Sequence, residues 1–272
     1  MSKFGSRLLP TAAAYLLAVL YLFPVFIAIL NSFKDKRAIL VSALAFPSAL
    51  RLDNYRTVLT TAHFGRVFVN SVLLTAASVA LILAVSAAGG YALARWRRRA
   101  AGWLMLAFMS SMFVPFHTIM ITLVMTAKEV GATGHFAGLV AVYGGLMCPL
   151  TLFLYRGFVK SLPIELEESG IIDGCGTFQL LLRIVLPLLL PITATVAVLN
   201  AMWIWNDFLL PYLILAKPLT VPLSQMYFYG KFNQQWHLIM AGFVVSTLPL
   251  VAFFLLMQRF VIKGLVAGAL KT

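Results

Sequence analysis

The sequence predicts an all-α integral membrane protein with six transmembrane helices, and three observations predict it. Of 272 residues, 62% are hydrophobic and only 11% are charged, against about 25% charged in a soluble domain. Six charge-free stretches are each long enough to cross a hydrocarbon layer roughly 30 Å thick at a rise of about 1.5 Å per residue. These stretches are continuously apolar, whereas barrel strands alternate over about ten residues, so helices are selected.

Taken in order, the first span is Leu8 to Phe33. Lys3 and Arg7 ahead of it resemble the start of a signal peptide. The apolar run is much longer than a typical h-region and has no clear small-residue cleavage site, so it reads as a retained helix. From Lys34 to Arg66 the chain is polar, and Pro47 and Asp53-Asn54 interrupt any long helix, which marks an outside loop. Val67 to Ala94 and Ala100 to Ala127 are the second and third spans. Arg95-Trp96-Arg97-Arg98-Arg99 between them has room only for a tight hairpin, and its charge suits an anchor at the inner surface. Val130 to Tyr155, Ile184 to Asn206 and Leu238 to Gln258 complete the set. Pro24, Pro115 and Pro149 fall inside apolar runs, where each removes a backbone donor and favours a kink that neighbouring helices can repair.

The formal charge of +13 follows from topology rather than from nucleic-acid binding. With the amino terminus inside, Lys3, Arg7, Arg95, Arg97, Arg98, Arg99, Arg156, Lys160, Arg183, Arg259, Lys263 and Lys271 lie in cytoplasmic segments. Lys34, Lys36, Arg37, Arg51, Arg56, Arg66, Lys128, Lys217 and Lys231 lie outside. The inside excess is modest, and it places both termini in the cytoplasm of a multi-pass protein. Cys148 in an apolar run and Cys175 in a cytoplasmic loop are poorly placed to pair and read as packing residues.

Arg156 to Arg183 is the one substantial polar segment after the fourth span. Ser161 is placed to cap a helix whose early turns hold Pro163, Glu165, Glu167 and Glu168, so negative charge meets the positive end of the dipole. Leu162, Leu166, Ile171 and Ile172 give it apolar positions. Asp173-Gly174 offers a stop, and Thr177 a cap for a second stretch leading to Pro187 and the fifth span. A short amphipathic helix, a glycine joint and a re-entry into the membrane are expected. A helix lying on anionic lipid would carry Lys and Arg on its polar face, and this one carries glutamates.

Glu168-Ser169-Gly170, then Gly174, then Ile184-Val185-Leu186-Pro187 resembles, at every anchor spacing, the EAA signature of ABC importer permeases. The departure is that two alanines after the glutamate are replaced by Ser169 and Gly170, both small. The resemblance implies the type I ABC importer permease fold: one permease domain over residues 1–272, with a cytoplasmic coupling segment over about 159–183. Its coupling helix would seat in a cleft of an ATPase subunit, through Glu165, Glu168, Ser169, Gly170, Asp173, Gly174, Ile184 and Pro187. Leu52-Asp53-Asn54-Tyr55, Asn70-Ser71, Tyr91-Ala92-Leu93-Ala94-Arg95, Trp205-Asn206-Asp207-Phe208 and the tail from Gln258-Arg259-Phe260 to Leu270-Lys271 are similar to the sugar-uptake branch of that family. The likeness covers nearly the whole chain and extends to the second membrane subunit of the maltose importer.

The implied partners are a homologous second permease subunit, two ATPase subunits that bind ATP and Mg, an extracytoplasmic solute-binding protein, a sugar substrate and membrane lipid, with no nucleic acid. No cofactor is expected in this chain, and the implied setting is a bacterial or archaeal inner membrane. The implied mechanism is alternating access, driven by ATP hydrolysis on the partners. No phosphate-binding loop of the Walker type is present; Gly131 to Gly138 and Gly264 to Gly268 lack the following Gly-Lys-Ser/Thr. An embedded enzyme finds no nucleophile and base pair or metal-ligand cluster in an apolar run.

On the fifth helix Asn200, Trp203 and Asp207 fall at i, i+3 and i+7 and share a face, with Asn206 beside them. Amide, carboxylate and aromatic groups suit a sugar's hydroxyls and ring faces. The same residues also suit helix–helix glue and an interfacial belt. His117 and His135 read as structural, and Gly89-Gly90 and Gly144-Gly145 as close-packing positions. Oligosaccharides and disaccharides are the expected cargo, with a sugar phosphate such as a glycerol phosphate ester as the alternative. An ion-driven carrier would need inverted repeats and midplane ionisable residues, and neither stands out.

Overall fold

The structure, a computed structural model, describes residues 5–61, 63–215, 217, 220–230 and 234–269, and the side chains of these between residues 10 and 258. Lys3, Lys231 and the Leu270-Lys271 end of the tail lie outside the described residues. The described residues form helices and the turns that join them, with no strand. Their elements are α1 (Gly5–Ser32), α2 (Lys36–Val41), α3 (Asp53–Thr61), α4 (Phe64–Arg95), α5 (Arg99–Ser111), α6 (Phe116–Glu129), α7 (Phe136–Lys160) and α8 (Glu165–Ile172). α9 (Thr177–Gln179) follows, then a π-helical turn over Leu180–Val185, α10 (Leu186–Leu188), α11 (Leu190–Asn206), α12 (Leu209–Ile214), α13 (Val221–Ser224), a 3-10 turn and α14 (Trp236–Ala269).

Among the described residues four helices are long and apolar enough to cross a membrane: Pro10–Ser32, Phe64–Arg95, Phe136–Lys160 and Trp236–Gln258. Two bent pairs bring the number to six when each is taken as one broken span: Arg99–Ser111 with Phe116–Glu129, bent by 101°, and Thr177–Leu188 with Leu190–Asn206, bent by 78°. The third apolar run is therefore broken rather than kinked. Pro115 caps α6 with extended backbone instead of sitting within a helix, because proline disfavours helical geometry in the residue before it. Pro24 and Pro149 stay inside α1 and α7. The fourth span starts at Phe136, later than the apolar run. Gly131 and Gly134, both at positive φ, turn the chain first, and the His135 ring accepts a hydrogen bond from the Gly138 N–H at 3.0 Å to cap α7.

The chain divides into two compact units. The first, Met1–Val67 with Ser224–Pro249, holds the polar stretch after α1, which folds into two short helices rather than an open loop. A buried polar hub fixes it. Lys34 Nζ donates to Asn31 Oδ1 at 3.0 Å and to the carbonyls of Ser42 and Ala43 at 3.1 Å each. Asn54 Nδ2 donates to the carbonyls of Ser32 at 2.7 Å and Lys34 at 2.8 Å, and the Ser32 and Tyr55 hydroxyls share a 2.6 Å bond. The Leu52-Asp53-Asn54-Tyr55 segment thus ties off carbonyls left open where α1 ends. Burial pushes the Lys34 ammonium below its ordinary pKa.

The second unit, Phe68–Leu223 with Leu250–Thr272, holds the candidate site. One core cluster joins Leu74 and Ile82 of α4, Tyr143 of α7, Ile204 of α11 and Leu210 of α12. Another joins Ala87 and Tyr91 of α4, Tyr155 and Val159 of α7, and Leu181, Val185, Leu189 and Val196. α4 and α7 meet at Gly90, where an added Cβ would lie 2.7 Å from Tyr155 Cβ and 3.0 Å from the Arg156 backbone nitrogen. A side chain at Gly90 would force these helices apart.

Candidate functional site

Between α7 and α11 the chain leaves its longest spans to make α8 and the rod Thr177–Leu188, which meets α11 at a 78° bend. α7 stops at Ser161, whose hydroxyl donates to the Phe158 carbonyl at 2.8 Å. Ser161 therefore closes α7, and the N-cap position of α8 falls to Ile164 rather than to Ser161. α8 begins after Ile164 with no side-chain cap, and the carboxylates Glu165, Glu167 and Glu168 of its first turn meet the positive end of its dipole. It ends as the sequence predicts, with Asp173 as C-cap and Gly174 at φ +84°. That left-handed conformation costs an L side chain about 1–2 kcal/mol. Thr177 is the first residue of α9 and Gly176 is its cap, the Gly176 N–H donating to Gln179 Oε1 at 3.1 Å.

α8 has two faces. Outward lie Glu165, Leu166, Glu168, Ser169, Ile171 and Ile172, all exposed, with Ile172 at 86%; Asp173, Gly174 and Phe178 continue this exposed surface. Inward lie Glu167 and Gly170. A Cβ at Gly170 would fall 2.4 Å from Ile184 Cδ1 and 2.7 Å from Leu180 Cδ2, so α8 rests on the π-helical turn. Ile184 therefore packs under α8, while Pro187 lies exposed in α10.

Glu167, which is 6% exposed, is a site residue that the motif did not single out. Its Oε1 accepts from Arg95 Nε at 2.8 Å and also from Arg95 Nη2, and its Oε2 accepts from the Tyr91 hydroxyl at 2.9 Å. Arg95 Nη2 reaches the Leu162 carbonyl too, at 3.4 Å. Arg95 is therefore engaged inside the chain at the end of α4 and is not a free lipid anchor, whereas Arg97, Arg98 and Arg99 are exposed.

The fifth-span residues divide. Asn200 is buried, and its Nδ2 donates to Thr151 Oγ1 on α7 at 3.2 Å and to the Val196 carbonyl at 2.7 Å, which makes it helix–helix glue. Trp203, Asn206 and Asp207 line an open groove of about 420 Å³ with Leu199 and Met202. Trp203 is 48% exposed and meets the Tyr143 ring edge-on at 6.3 Å. Asn206 Nδ2 donates to the Met202 carbonyl at 2.8 Å. Asp207 is half-buried: its Oδ2 accepts from the Tyr143 hydroxyl at 2.9 Å, and its Oδ1 accepts from the Leu209 N–H at 3.0 Å at the start of α12. Thus Trp203 and Asn206 offer the more open surface, while both oxygens of Asp207 are engaged within the protein. No group of three or more His, Cys, Asp or Glu that could hold a metal occurs among the described residues.

The fold is shared with known transporters. A chain in the crystal structure of a bacterial ABC transporter involved in the import of the acidic polysaccharide alginate superposes with a TM-score of 0.80 at 21% identity, over 95% of this chain and 98% of that one. The protein has the type I ABC importer permease fold, and it is a transport component of the membrane. Residues 80–266 match the family model described as binding-protein-dependent transport system inner membrane component, and the chain belongs to that family. It is 39% identical over 270 residues, 97% of each chain, to the probable starch degradation products transport system permease protein AmyC of Thermoanaerobacterium thermosulfurigenes. It is 34% identical to the multiple sugar-binding transport system permease protein MsmG of Streptococcus mutans, over 93% of each chain. Identity to the melibiose/raffinose/stachyose import permease protein MelC of Bacillus subtilis is 31%, over 96% of this chain and 95% of that one.

Proposed function

We propose that this chain is the sugar-translocating membrane subunit of an importer that works by alternating access and is driven by ATP hydrolysis on separate subunits. The observation that carries the reading is the two-faced α8. Its inner face is fixed to its own chain, while Glu165, Leu166, Glu168, Ile171, Ile172 and Asp173 stand outward on a helix with a glycine stop. An apolar ridge edged by carboxylates suits a groove lined by apolar and basic groups on a partner. α8 is then the coupling helix, on the cytoplasmic side with both termini. The complex holds a second, related permease, two ATPases carrying ATP and Mg, and an external solute-binding protein. ATP binding closes the ATPase pair, moves α8 and turns the path outward, and hydrolysis resets it.

Relatives named for starch degradation products, multiple sugars and melibiose/raffinose/stachyose support an oligosaccharide or disaccharide as cargo. The groove at Trp203, Asn206 and Asp207 is a stretch of its path, with Trp203 offering a ring face to a sugar ring and Asn206 an amide to its hydroxyls. Two measurements test these readings. Asp173→Lys and Gly174→Leu are expected to abolish sugar uptake while the chain still inserts and assembles; normal uptake in both variants would refute the coupling role. Trp203→Ala is expected to slow uptake with ATP hydrolysis retained, and unchanged uptake would remove the groove from the path.

A further inference from the structure

We propose that Arg95, Glu167 and Tyr91 form a positioning latch that makes the inner-face end of α4 move with α8 as one body. The inference rests on α8 being the coupling helix. Covalently, α8 connects only to α7, through residues 161–164, and to α9, through residues 173–176. α4 is a separate span, and the latch joins it to α8 across a gap of 72 residues.

The chemistry of the latch favours positioning over stability. A buried ion pair gains little net stability, because desolvation largely offsets the attraction. What the hydrogen bonds around this one supply is geometry: both oxygens of Glu167 are engaged, and the Arg95 fork also reaches the Leu162 carbonyl at the α7–α8 corner. Three hydrogen bonds donated by one planar fork, to Glu167 Oε1 and to the Leu162 carbonyl, specify an orientation as well as a charge, which a lysine cannot reproduce. One turn above, the close approach at Gly90 holds α4 against α7. On the other side of Glu167, Gly170 seats α8 on the π-helical turn that leads to α11. A push on α8 is thereby delivered to two spans, α4 through the carboxylate and α11 through the rod.

The test uses the assembled importer in lipid, with spin labels at Arg97→Cys and Ile172→Cys, both exposed. The distance between them is measured without nucleotide and with Mg-ATP and vanadate. One narrow distance, the same in both states, is expected with the latch intact. Glu167→Gln and Arg95→Lys should broaden it or make it depend on nucleotide, and the exchanged pair Arg95→Glu with Glu167→Arg should narrow it again. Tyr91→Phe removes a single hydrogen bond and should broaden it less; it decides the matter if the charge variants fail to assemble. A distance as narrow in Glu167→Gln and Tyr91→Phe as in the parent overturns the latch. Cross-linking of Ile172→Cys to the ATPase subunit separates the two readings. Its absence in the parent removes the coupling helix and the latch with it, whereas its presence with a distance that Glu167→Gln and Tyr91→Phe leave as narrow as in the parent removes the latch alone.

Discussion

Three glycines in the α4 and α7 helices let the packing be tested by one added methyl group. At Gly145 a Cβ meets nothing within 4 Å; at Gly89 it lies 3.1 Å from the methyl end of Leu152. At Gly90 it lies 2.7 Å from Tyr155 Cβ, 3.0 Å from the Arg156 nitrogen and 3.2 Å from the Leu152 carbonyl, atoms that cannot move without α7 itself. Each Gly→Ala change gains about 1 kcal/mol of helix propensity, and because the gain is common to all three it cancels in the comparison. What remains is the cost of overpacking, about 1–3 kcal/mol where neighbours must shift. Gly90→Ala should take the upper part of that range, Gly89→Ala little, because a leucine methyl can turn aside, and Gly145→Ala none. At about 2–4 °C per kcal/mol, the detergent-solubilised Gly90→Ala protein should melt several degrees below Gly145→Ala, with Gly89→Ala close to the latter. Equal melting of Gly90→Ala and Gly145→Ala would refute the α4–α7 contact and the geometry of Arg95 and Tyr91 that depends on it.

Asn54→Ala strips partners from two buried carbonyls and should cost about 2–4 kcal/mol, read as a lower melting temperature and faster proteolysis between residues 34 and 61. Gly170→Ala should be tolerated in uptake and stability, since only the methyl ends of Ile184 and Leu180 oppose it, whereas Gly170→Leu should displace α8 and abolish uptake. Asp35 accepts a hydrogen bond from the Ala38 N–H, which, with Arg51 and Arg37 nearby, holds its carboxyl below the ordinary value of 3.8. Its support of α2 is therefore complete above pH 3.8 and is lost as pH falls through the lowered value. Amide exchange in α2 should accelerate there in the parent, and Asp35→Asn should remove that pH dependence.

Much of this architecture was legible in the sequence because the bilayer admits few solutions. Long charge-free runs located the spans, and the Asp173-Gly174 stop located the end of α8. The break at Pro115 was visible only as a kink, since one proline does not report whether neighbours repair the helix or the chain turns by 101°. Glu167 was hidden by its neighbours: a cluster of glutamates at a helix start reads as dipole compensation, and all three satisfy that reading. The available signal was its spacing to Gly170, i and i+3 on one face, where a residue without a side chain marks a packed surface and so a carboxylate in need of a cation. Asn200 went the other way. Its helical spacing to Trp203 and Asp207 suggested one shared wet face, yet Thr151 on α7 offered a hydroxyl within reach and drew the amide into the helix contact. Which side of a helix meets a neighbour depends on elements distant in sequence, and periodicity alone does not supply them.

Glu167 and Glu168 are adjacent in sequence, yet one is sealed inside the chain and the other stands in the open. Adjacent glutamates therefore lie under separate constraints, one answering to residues of the same polypeptide and the other, on the coupling role proposed for α8, to the partner that docks there. On the same proposed role, an engineer wishing to pair this permease with a foreign ATPase would recode Glu165, Leu166, Glu168, Ile171 and Ile172 as an interchangeable adaptor. Position 167 would have to travel with 91 and 95 or stay as it is.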